Sequence, residues 1–66
     1  MEPSTKDRIT EAALRLFSEK GYLGASLSDI AKQVGISKAA LYKHFASKQE
    51  ILDHIVARMD ELDTER

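Results

Sequence analysis

The 66-residue sequence contains no cysteine, and that absence removes disulfides, zinc fingers and thiol nucleophiles together. A reduced, cytoplasmic setting fits the lack. No apolar run exceeds a few positions, so no segment has the length of a bilayer span or a signal-peptide core, and no membrane partner is expected. No stretch alternates strictly between apolar and polar residues, which removes half-buried strands and leaves an all-α class. Internal repeats, linkers and low-complexity segments are also missing, so residues 1–66 read as a single domain. A core of this size rarely supplies more than about 3 to 5 kcal/mol of net stability without a staple or a partner.

Acidic residues are absent from one part of the chain only. The net charge is −1, but it is unevenly spread. Residues 1–29 carry four basic and five acidic side chains. Residues 30–48 carry Lys32, Lys38, Lys43 and Lys48 and no acid at all, whereas 49–66 carry two arginines against six acids. Such a chain presents one face that attracts polyanions and another that repels them.

What is present is helical periodicity. Ile9, Ala12, Ala13, Leu16 and Phe17 recur at the spacing of one helix stripe, with Ser4 and Asp7 as a capping box and Gly21 as the stop, so helix 1 is expected from about 5 to 20. Ser26 followed by Asp29 opens a second helix of about eight residues, whose face is Leu27, Ile30, Ala31 and Val34 and whose end is Gly35. Ile36 is an apolar plug. Ser37 caps a third helix of similar length, over about 38–45, with Leu41 and Phe45 inward. Ser47 through Glu50 forms another capping box, opening a longer fourth helix over 48–63 with Ile51, Leu52, Ile55, Val56, Met59 and Leu62 apolar.

Two short helices joined by Gly35-Ile36-Ser37 have the spacing of a helix-turn-helix over about 26–45, and the acid-free stretch coincides with this unit. The expected architecture is a homeodomain-like three-helix bundle extended by the start of a fourth helix. Residues 5–56, with Gly35-Ile36-Ser37-Lys38, Leu41-Tyr42-Lys43-His44-Phe45 and Ser47-Lys48-Gln49-Glu50-Ile51-Leu52, resemble the N-terminal domain of tetracycline-repressor (TetR) type regulators. The resemblance implies a repressor head that binds double-stranded operator DNA, a homodimer in the intact regulator, and a small-molecule effector taken by a C-terminal ligand-binding and dimerisation domain. That domain is not among these 66 residues.

With Leu41 and Phe45 facing the core, a rotation of about 100° per residue points Ala39 and Lys43 the opposite way, flanked by Ala40 and Tyr42. Lys43 is the candidate base reader, because an ammonium can donate to guanine O6 and N7. Ala39 and Ala40 permit close approach and can touch a thymine methyl, or serve simply as helix formers. Ser37 and Lys38 stand at the end of the helix that usually points deepest into the groove. The resemblance gives Tyr42 a phosphate contact. Lys48, in the first turn of helix 4, adds a charge where free N–H groups already favour an anion. Ser26 and Ser28 start helix 2, where relatives touch the DNA backbone; capping alone is the equal alternative for Ser26. His44 reads as structural or phosphate-bonded, and Lys32 as a solvated helix position.

Catalysis is not expected. His44 and His54 fall on different helices, Asp53 cannot share a helix face with its neighbour His54, and no nucleophile-base pair, metal-ligand set or Gly-rich phosphate loop is present, so neither metal nor cofactor is expected. The competing reading is a helical protein-protein interaction module whose lysines only solvate a face. Counterion release separates the two, since DNA binding must weaken steeply with salt.

Overall fold

The computed structural model describes the backbone of residues 4–63 and the side chains of residues 4–59. Four helices follow in order, α1 (Thr5–Gly24), α2 (Leu27–Val34), α3 (Lys38–Tyr42) and α4 (Lys48–Asp63), with no strand among the described residues. α1 packs on α2 and α4, and α2 packs on α3. One large side chain from each helix is wholly buried: Ile9, Ile30, Leu41 and Ile51. Burying each stabilises the fold by about 1.5 to 3 kcal/mol relative to exposure. These four therefore tie every helix to one core, with Ala13, Leu16, Ala25, Ala31, Val34, Phe45 and Ile55 packed around them. Among the described residues, no helix is long and apolar enough to cross a membrane.

Serine caps set the starts of the helices. Ser4, Ser26, Ser37 and Ser47 each accept, through Oγ, the N–H three residues on, at 3.1, 3.0, 3.0 and 3.3 Å. The return half of the expected capping boxes is not among the hydrogen bonds of the first two helices. Asp7 and Asp29 stand where the box uses Glu or Gln, and an aspartate is one methylene too short to reach back comfortably. Glu50 is long enough, but its Oε1 accepts from the Ala46 N–H at 3.0 Å, one residue before the cap.

Two boundaries differ from the sequence expectation. α1 breaks at Gly21, where φ is 80° and ψ 162°, and then makes one further turn to Gly24 instead of ending near 20. The positive φ needs a glycine; the added turn is closed by the Ala25 N–H returning to Gly21 O at 3.2 Å. α3 is the larger departure, since it stops at Tyr42 and not at 45. Lys43 N–H reaches Ala40 O and His44 N–H reaches Leu41 O in i→i−3 bonds, while Phe45 N–H keeps the i→i−4 bond to Leu41 O and its ring is buried in the core ahead of α4.

Candidate nucleic-acid interface

The turn between α2 and α3 is built from the end of α2. Gly35 has φ 88° and ψ 30°, in the left-handed region, and its N–H bonds Lys32 O at 3.2 Å while Ile36 N–H bonds Ala31 O at 3.0 Å. This pair of bonds is the Schellman arrangement, which satisfies carbonyls that the helix leaves unpaired. Ile36 then lies half-buried against the core, as a plug. From across the chain, Arg8 Nη2 donates to Val34 O at 2.9 Å and ties the end of α2 to α1.

α3 starts from the Ser37 cap and is held inward by Leu41, the buried residue within it. The rest of its surface follows from the helical rotation. Ala39 and Lys43, opposite Leu41, are exposed; Tyr42 is 46% exposed on one flank, and Ala40 is half-buried on the other. Lys38 and His44 are exposed as well. Lys43 keeps a helical conformation (φ −68°, ψ −22°) although it follows the last residue of α3, so the face continues past the helix end. Lys32 is exposed on α2.

At the start of α2, Ser26 and Ser28 are exposed. The Ser26 and Ser37 oxygens accept the capping N–H groups, and a hydroxyl that accepts in this way still has its own proton to donate. The exposed, chemically able groups thus come from the starts of α2 and α3 and from the outward side of α3.

Lys48 is placed differently from the anion-facing position expected for it at the start of the fourth helix. It folds back and is half-buried, with Nζ donating to Tyr22 O at 2.6 Å and to Ala25 O at 2.8 Å. The same ammonium lies 4.5 Å from the centroid of the Tyr22 ring. The physical reason is the broken end of α1: carbonyls at a helix C-terminus lack helical partners and attract a cation, and the last turn of α1 has no basic residue of its own. Tyr22 and Arg8 escaped the sequence reading. An aromatic just past Gly21 was the one available hint for Tyr22; Arg8 had none.

Residues 9–55 match the family model for bacterial regulatory proteins of the tetR family. The biofilm operon icaADBC negative transcriptional regulator IcaR of Staphylococcus aureus is 57% identical over 51 residues, which cover 77% of this chain and 27% of the relative. A TetR-family transcriptional regulator of Thermus thermophilus, PfmR, is 57% identical with a TM-score of 0.66, over 77% of this chain and 28% of that one. A tetR-family regulator structure from Shewanella sp. PV-4 is 35% identical with a TM-score of 0.78, over 82% of this chain and 29% of that one. The chain therefore spans about a quarter of the length of the relatives it matches.

Proposed function

Since the chain belongs to the tetR family of bacterial regulatory proteins and is a DNA-binding head of that kind, we propose that it reads an operator half-site for a cytoplasmic transcriptional repressor. The observation that carries the reading is the outward face of α3. Ala39 and Lys43 stand opposite a wholly buried Leu41, in the acid-free part of the chain and just after a helix-turn-helix turn. In the major groove, Lys43 donates to a guanine edge, while Ala39 and Ala40 let the backbone approach and offer methyls to thymine. Ser37 and Lys38 sit at the leading end of that helix. Tyr42 and His44 flank it and reach phosphates, and Ser26 and Ser28 hold phosphates from the start of α2.

The same reading extends to the assembly. In an intact regulator the head is paired as a homodimer, and a C-terminal domain supplies dimerisation and the small-molecule site. The exposed Val56 and Met59 on the far part of α4 support it, because they leave apolar surface uncovered. Leu62, the next apolar position along that helix, lies outside the residues whose side chains are described. Two linked heads reading half-sites about 34 to 36 Å apart bind with avidity that a single head lacks.

Selection of bound duplexes from a random pool tests the proposal. It is expected to return one half-site containing guanine, and affinity for that site should fall steeply with salt. Recovery of no preferred sequence, or binding that ignores salt, would favour the protein-interaction module. Fusion to a dimeric partner should tighten binding to a palindromic site by orders of magnitude; equal affinity of chain and fusion would remove the dimer from the reading.

A further inference from the structure

We propose that Lys48 is a positioning residue of this head: its ammonium pins the loop that carries Ser26 to the first turn of α4, and it does not itself hold a phosphate. The inference rests on the DNA reading above. An ammonium has three N–H donors and no acceptor. Two of the three go to backbone carbonyls, Tyr22 O at 2.6 Å and Ala25 O at 2.8 Å, and the charge sits over the Tyr22 ring at 4.5 Å from its centroid. A phosphate would have to draw the ammonium away from both carbonyls at the broken end of α1 and from the ring, which together hold it on the inner side of α4's first turn.

The surroundings of the pin are themselves held. The Tyr22 ring leans on Phe17, with centroids 5.3 Å apart and planes tilted by 52°, and Phe17 packs against the core. The Tyr22 hydroxyl donates to Gln49 Oε1 at 3.4 Å, so α4 grips the same residue from its next position. Ala25, whose carbonyl Lys48 takes, is wholly buried and directly precedes Ser26, the cap of α2. The lysine therefore fixes where α2 begins relative to α4, and with it the direction in which Ser26 and Ser28 present their hydroxyls. Lys38 and Lys43, by contrast, are exposed and take part in none of the side-chain hydrogen bonds found among the described residues.

Two measurements on the 66-residue chain test the assignment. In the free wild-type chain, the nitrogen-resolved ammonium signal of Lys48 is expected to be protected from exchange with water and to persist when a binding duplex is added. Scalar coupling of that ammonium to phosphorus in the complex would overturn the proposal. In Lys48→Met, which keeps the length and loses the charge, amide exchange over residues 22–28 is expected to rise roughly tenfold. Binding should weaken on every duplex while the slope of log affinity against log salt stays at its wild-type value. A slope flatter by about 0.9, one phosphate's worth of released counterions, would overturn the proposal whatever the loop does. Should Lys48→Met fail to fold, the wild-type ammonium measurement decides alone. If neither the wild-type chain nor its dimeric fusion binds any duplex, the DNA reading falls and this role in it falls too; a protected ammonium in the free chain would then show the pin intact, so the two failures are distinguishable.

Discussion

Leu41→Ala would test whether α3 is held where the reading requires it. α3 has five residues, well short of the ~12 to 15 at which an isolated helix becomes even marginal in water. Its position must come from its cap and from the core, and Leu41 is the buried residue within it. Leu41 is wholly inaccessible, so truncation leaves a cavity and costs about 2 to 5 kcal/mol. The total stability of 66 residues at ~0.05 to 0.15 kcal/mol each is about 3 to 10 kcal/mol, and a small core with no disulfide belongs at the lower end, about 3 to 5 kcal/mol. The loss is therefore a large share of the whole, and at about 4 to 8 °C per kcal/mol the melting midpoint should fall by at least ~8 °C. Leu41→Met conserves volume, should cost less than about 1.5 kcal/mol, and serves as the control. Circular dichroism melts of both variants supply the stability. DNA binding is then compared at a temperature where Leu41→Ala is folded, and its preference among duplexes should be blurred because α3 opens locally. A midpoint within about 3 °C of wild type would refute the reasoning, since something other than Leu41 would then hold α3 in place.

Three further outcomes follow from the same geometry. Lys43→Ala should cost about 1 to 3 kcal/mol on the selected site and much less on random duplex, relaxing the choice at one or two base pairs; equal losses on both would assign Lys43 to phosphate. Gly35→Ala should destabilise by about 1 to 2 kcal/mol through the left-handed backbone alone, because a Cβ there meets nothing within 4 Å, and Gly35→Asn should lose less in the same melts. Ser37→Ala removes the acceptor of the Ala40 N–H and should cost about 0.5 to 2 kcal/mol, with amide exchange rising in α3 before the other helices.

Most of the fold was legible because its determinants are local. Serine followed three residues later by a capped N–H, glycine where φ turns positive, and apolar residues at helical spacing each act within one or two turns of chain. All four helices, the stop at Gly35 and the inward face of Leu41 and Phe45 could be read on those grounds alone. What failed was set by contacts far apart in sequence. α3 gives way at Lys43 and His44 to tighter bonds, with Phe45 buried in a core built by other helices, and no pattern along the chain announces that change. The added turn to Gly24 is stabilised by a lysine 23 and 26 residues away from the carbonyls it meets. The outward residues of α3 were legible as a face by rotation, but a face does not state which base or phosphate each group meets.

The two cationic side chains that reach distant backbone carbonyls among the described residues share a feature that explains why neither could be read from the sequence. Arg8 ends on Val34 O at the close of α2, and Lys48 ends on Tyr22 O and Ala25 O at the broken close of α1. Each acceptor is a backbone carbonyl left over at a helix end, and a carbonyl carries no residue identity for a pattern to find. The consequence is that a count of lysines along the chain overstates the cations that face outward. Four lysines occupy residues 30–48, yet one of them is turned inward. Lys38 is at the leading end of α3 but stands about 60° from its buried direction, so its long side chain leaves that end toward the groove wall, where a phosphate is met. Lys38→Ala should therefore flatten the salt slope by about 0.9 with little change in sequence preference. Adding Lys48→Met to it should flatten the slope no further, although affinity falls again through the loosened start of α2. If the double variant instead loses about another 0.9, Lys48 faces phosphate and the count along the sequence was the better guide.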